Sequence, residues 1–149
     1  MLELRQNHLA VRDELDKAEK RVKKLEPSLP DIIAASDFNL WREMCKPVYA
    51  GVFWDKRLHI AFPQITVRRT ERELLKNIHT RVDLLLKLRN RIAHHEPIIG
   101  SNWEPLGSKL AERRSEAIEL LEWMSPDLAR WVAARDTFQS VMANRPTQL

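Results

Sequence analysis

The chain has little of what many protein classes require. Its 149 residues include one cysteine, three glycines and one tyrosine. The single thiol, Cys45, excludes an intrachain disulfide, and without a second thiol a closed zinc site is disfavoured. So few glycines, with 31% charged residues, leave little room for a turn-rich all-β chain or for long structureless segments. No run approaches 18 uninterrupted apolar residues, and "MLELRQNHLAVRDELDK" is a mixed-charge start without a signal-peptide core. The expectation is a cytoplasmic protein away from the membrane, its thiol kept reduced.

What is present is helical material. Hydrophobic residues make up 44% and charged residues 31%, enough apolar surface for one domain of this length with a helical periphery. We expect an all-α fold in a single domain over residues 1–149, with no internal repeat. The net charge is +4, and it is unevenly spread. Between Thr66 and His95 there are eight Lys or Arg against three acids, a balance of +5, so the rest of the chain carries −1. The segment suits an anionic partner such as RNA, although a solvated basic helix face gives the same count.

Spacing places the elements. Leu4, His8, Val11, Leu15, Ala18, Val22 and Leu25 step by three and four, predicting an amphipathic helix over 2–26 that stops at Pro27. His8 lies in that seam and is read as a packed, hydrogen-bonded residue. "EPSLPD" reads as a connector, and Ser36 or Asp37 then caps a helix to about Lys46. Short turns punctuated by Pro47, Gly51 and Pro63 follow. Phe38, Trp41, Phe53 and Trp54 are assigned to the core, in preference to stacking on bases, because basic residues do not interleave them.

A long helix is predicted from Glu71 to His95, striped by Leu74, Leu75, Ile78, Val82, Leu85 and Ile92, and closed by Pro97. Ser108 is read as the cap of a fourth helix to Met124. Ser125 and Pro126 start a fifth that carries Leu128, Trp131, Val132, Phe138 and Met142, before a fraying tail.

The chemistry concentrates in "LRNRIAHHEP", residues 88–97. At about 100° per residue, Arg89 falls about 20° from Ile78, near the centre of the apolar stripe, where an unsatisfied guanidinium is costly. His94 lies roughly 140° further round, so one straight helix does not bring the two together; His94 shares a face with Asn90 and Arg91 instead. An imidazole beside guanidinium and amide donors is equipment for metal-free RNA cleavage. It can take the 2′-OH proton or protonate the leaving 5′-oxygen, while cations meet the charge developing on phosphorus. Adjacent His94 and His95 point about 100° apart, and no HxxxH or thiol set completes a metal site, so no metal is assigned. From the residues alone, a phosphate-handling site and a satisfied structural cluster both remain open.

"RNRIAH", Arg89 to His94, resembles the R-N-x3-H form of the R-x4-6-H motif of HEPN domains. The longer "LRNRIAHHEPI" resembles the signature of Abi-like (abortive infection) proteins, a bacterial branch of that superfamily. "FNLWREMCKPVYAGVFWDKRLHIAFPQ" and "LLEWMSPDLARWV" are similar to the segments on either side, so that the likeness spans residues 37–146.

The resemblance implies a HEPN-like helical bundle and a homodimer in which the motif helices of two chains meet in a composite cleft. It implies a metal-independent endoribonuclease with no cofactor, in phage defence or a toxin–antitoxin system with an antitoxin of unknown type. His94 would be the acid–base residue, Arg89 would stabilise the scissile phosphate, and Asn90 would orient either. Arg91 and His95 are candidate supporting residues whose roles the short motif does not fix. Arg68, Arg69, Arg72 and Lys76 are the candidate RNA contacts. The alternative is a non-catalytic HEPN module that binds RNA or a protein partner.

Two departures stand out. Abi-like proteins commonly carry another helical segment before the matched region, where this chain has its charged first helix, as expected of a short or truncated member. Toxin members silenced by nucleotide attachment have a tyrosine two residues after the histidine. Glu96 stands there, so that inhibition is not expected at this position.

Overall fold

The computed structural model describes residues 2–66, 70–98 and 103–144. Among them the secondary structure is helical throughout, with no strand, as the composition predicts: α1 (Leu2–Arg21), α2 (Leu29–Ala35), α3 (Phe38–Met44), α4 (Leu58–Ala61), α5 (Glu71–Ala93), α6 (Trp103–Met124), α7 (Pro126–Ala133) and α8 (Phe138–Ala143). A 3-10 turn at Pro47–Tyr49 and a π-turn at Ala50–Trp54 occupy the proline- and glycine-punctuated stretch. No described helix is long and apolar enough to cross a membrane.

The chain divides into two compact units, Met1–Arg57 with Arg68–Leu86, and Leu58–Val67 with Lys87–Leu149. The boundary falls inside α5. Its first four turns therefore belong with α1 to α3, and its last two turns, which carry the motif, with α6 to α8.

In the first unit, α1 packs on α2, α3 and the 3-10 turn. It ends at Arg21, five residues short of the predicted stop, so Leu25 lies beyond the helix and is fully exposed. Among the α1 residues whose burial is described, Glu14 and Ala18 are buried. His8 is exposed, its ring meeting the edge of Tyr49 at 5.5 Å between centroids, which replaces the packed and hydrogen-bonded histidine of the sequence reading.

The expected connector contains α2. The Asp31 carboxylate accepts from the backbone N–H (3.0 Å) and hydroxyl (2.6 Å) of Ser28, half of a capping box, and Pro30 sits in the first turn where no N–H is needed. Lys24, 2.7 Å away, and these Ser28 bonds hold the Asp31 carboxyl down to about 2. Asp37 caps α3 by position, while its carboxylate takes Arg21 Nη2 at 2.6 Å.

Of the four aromatics assigned to the core, Trp54 is buried and donates its Nε1 to the Met44 carbonyl at 2.7 Å. Phe38, Trp41 and Phe53 are each about two-fifths exposed, a correction to the sequence reading. Helical spacing puts Phe38 and Trp41 on one face of α3 but does not decide whether anything covers it.

Thr70 and Glu73 form a reciprocal capping box at the start of α5: Glu73 N donates to Thr70 Oγ1 at 3.3 Å, and Thr70 N to Glu73 Oε2 at 3.0 Å. Leu74, Leu75, Ile78 and Val82 are buried as predicted.

In the second unit, α6 packs on α7. It begins at Trp103, five residues before the predicted start at Ser108. Pro105 falls in its first turn, where a missing N–H costs nothing. Ser125 caps α7 through Leu128 N–H at 3.3 Å, with Pro126 at the first helical position, as expected. The single last helix of the sequence reading is two helices. The first ends at Ala133 with Ala134 as its C-cap, and in the turn that follows Asp136 accepts from Phe138 N–H at 2.8 Å and from the Arg114 guanidinium of α6 before α8 starts. The tail beyond 144 lies outside the described residues.

Candidate nucleic-acid site at the end of α5

The stripe that buries the early turns of α5 does not continue to its end. Leu85 is half-buried, while Arg89, Asn90, Arg91, Ile92, Ala93, His94 and His95 are all exposed. Arg89 thus escapes the desolvation that its angular position predicts. This overturns the reading of Arg89 as a satisfied interior charge. Its Nη1 lies 3.4 Å from Asn90 Oδ1, its hydrogen-bond partner among the described residues.

His94 is the last residue to extend the helical bonding, with its N–H donating to Asn90 O at 2.9 Å. The backbone then reverses. His95 N–H donates to Ile92 O at 3.1 Å and Glu96 N–H to Arg91 O at 2.8 Å, with His95 at φ 55°. These are the two bonds of a Schellman turn, which makes His94 the C-cap and His95 the left-handed residue that follows it. Pro97 prevents the helix from resuming.

Arg91 belongs to this turn. Its Nε lies 3.6 Å from Glu96 Oε2, and its Nη2 donates to the Pro97 carbonyl. The i to i+5 partnership with Glu96 was not legible from the i+3 and i+4 neighbours that a continuous helix offers; Pro97 just beyond His95 was the signal that the turn must fold back.

The structure therefore gathers Arg89, Asn90, Arg91, His94 and His95 into the last two turns of one helix and its cap. The C-terminal end of a helix carries partial negative charge, which favours cations there. Of the candidate RNA contacts, Arg72 and Lys76 are exposed on the first turns of α5, in the other unit, and Arg68 and Arg69 lie outside the described residues. No group of three or more His, Cys, Asp or Glu with metal-binding proximity occurs among the described residues.

Comparison of the chain with protein-family models, with curated proteins and with solved structures finds no match.

Proposed function

We propose that the protein is a metal-independent endoribonuclease of the HEPN superfamily, in its Abi-like branch, with a HEPN-like bundle and a homodimeric active site. The observation that carries the reading is the exposure of Arg89, Asn90 and His94 together at the end of α5, beyond the point where the apolar stripe ceases to be buried. A guanidinium, an amide and an imidazole left in solvent on one short segment are available to a phosphodiester.

In this mechanism His94 moves the proton, from the 2′-OH or to the 5′-oxygen. Arg89 meets the charge that grows on the phosphoryl oxygens. Asn90, bonded to Arg89, orients it or the imidazole. Since Arg89 and His94 are five residues apart on one helix, Arg89 of one chain acts with His94 of its partner. The biological setting is phage defence or a toxin–antitoxin system.

The test is RNA cleavage by the parent, by Arg89→Ala, by His94→Ala and by a mixture of the two variants, each checked for helicity and oligomeric state. The parent cleaves, and each variant alone loses about 100-fold or more. The mixture regains activity, because a mixed dimer contains one site with Arg89 from one chain and His94 from the other. A parent that binds RNA without cleaving it, with binding that survives His94→Ala but falls on loss of Arg69, Arg72 and Lys76, identifies the non-catalytic module instead.

A further inference from the structure

Arg91 and Glu96 have no part in that mechanism, yet they make the contacts that end α5. The turn they close is unfavourable on its own account: His95 occupies the left-handed region that ordinarily selects glycine, and no glycine is present at that position. Something must over-determine the conformation for it to persist. The Arg91 guanidinium does so from both ends. It is rooted on the helix one turn before His94, and it holds the two residues after His95, Glu96 through an ion pair at 3.6 Å and Pro97 through its carbonyl. The backbone bond from Glu96 N–H to Arg91 O, 2.8 Å, closes the same ring.

We propose that Arg91 and Glu96 are positioning residues, a clasp that holds the cap of α5 in one conformation and so presents the His94 imidazole in one direction. The proposal rests on His94 being the acid–base residue of the site described above. An unclasped helix end frays, since its last carbonyls have no helical partners. A general acid or base on a fraying turn loses the near-attack geometry on which its rate depends. Both side chains are about half exposed, 50% for Arg91 and 54% for Glu96, so the ion pair contributes little to global stability and the variants fold. The effect is local to the cap.

The test uses two readouts on full-length Arg91→Gln and Glu96→Gln, with helicity confirmed. The first is amide hydrogen exchange at His95 and Glu96, the two donors of the turn. The second is kcat and KM for a labelled RNA in EDTA. Exchange at both amides rises about fivefold or more. The kcat falls about tenfold or more and KM stays within about twofold, because substrate binding is not what the clasp provides. Unchanged exchange in Arg91→Gln overturns the clasp, whatever the cleavage data show. Faster exchange with unchanged kcat in a protein that cleaves overturns the positioning role. A parent that cleaves no RNA overturns the nuclease reading and the positioning role together, and the exchange data then report on the clasp alone.

Discussion

Arg42 on α3 reaches Asp83 on α5, with Nη1 3.1 Å from Oδ1, and turns its other terminal nitrogen onto its neighbour Glu43. Lys46 Nζ lies 2.6 Å from the second Glu43 oxygen. Burial pushes the Glu43 carboxyl up, and Lys46 and Arg42 outweigh it, holding it below its ordinary value. The Glu43 side chain is 5% exposed, so its charge depends on these partners.

Arg42→Ala therefore removes a cation from a nearly inaccessible carboxylate. The expected loss is roughly 2 kcal/mol, less than the ~3–5 kcal/mol of a fully buried pair because Arg42 itself is partly exposed. The urea midpoint at constant slope measures it. A change within a few tenths of a kcal/mol would show that Lys46 alone satisfies Glu43.

His79, one turn before Asp83, carries a pH dependence. Burial lowers its proton affinity, Asp83 and Glu43 raise it, and Arg42 and Lys46 lower it, with a net decrease from 6.5. Its Nε2 is buried without a hydrogen-bond partner among the described residues. Just below pH 6.5 the unfolded chain binds a proton that the folded chain refuses, so stability falls as pH drops from 6.5 towards the lower folded value. His79→Gln shows a shallower fall between pH 7.5 and 5.5 in urea unfolding. An equal slope in parent and variant would contradict the assignment.

The hydrophobic stripe of α5 and the cap of α7 were legible in the sequence, because Ser125 and Pro126 have a local chemical reason for their place, whereas the Thr70–Glu73 box that starts α5 was not read. The capping residues of α2, Ser28 and Asp31, were equally visible, but two prolines made the segment read as a connector. Whether a stripe is buried was not legible: periodicity orients Ile78 and Arg89 alike, and only the extent of packing separates the buried one from the exposed one. The same limit explains the exposed Phe38, Trp41 and Phe53. The motif residues could be named from their types and spacing, whereas the left-handed cap at His95 depends on a backbone reversal that no helical projection contains.

That cap has its own consequence. His95→Gly relieves a left-handed β-carbon and stabilises the protein by about 0.5–1 kcal/mol, offset in part by the freedom glycine adds to the unfolded chain. Thermal or urea unfolding reads the sign. A destabilised variant would mean that the His95 side chain contributes more than its backbone strain costs.

Cys45 is 7% exposed, and burial pushes its thiol up to about 12. Such a thiol is inert in the folded protein. A disulfide reagent at pH 8 should label it only as the chain opens, with a rate that rises with urea in step with unfolding. Rapid stoichiometric labelling of the native protein would place the thiol at the surface.

The nuclease reading is tested most directly by incubating the parent protein with a mixed pool of labelled RNAs in EDTA and identifying the product ends. Cleavage should leave 2′,3′-cyclic phosphates, be unaffected by the chelator and be lost in both Arg89→Ala and His94→Ala. An intact, folded dimer that leaves every RNA uncut, or cleavage that persists when His94 is removed, would contradict it.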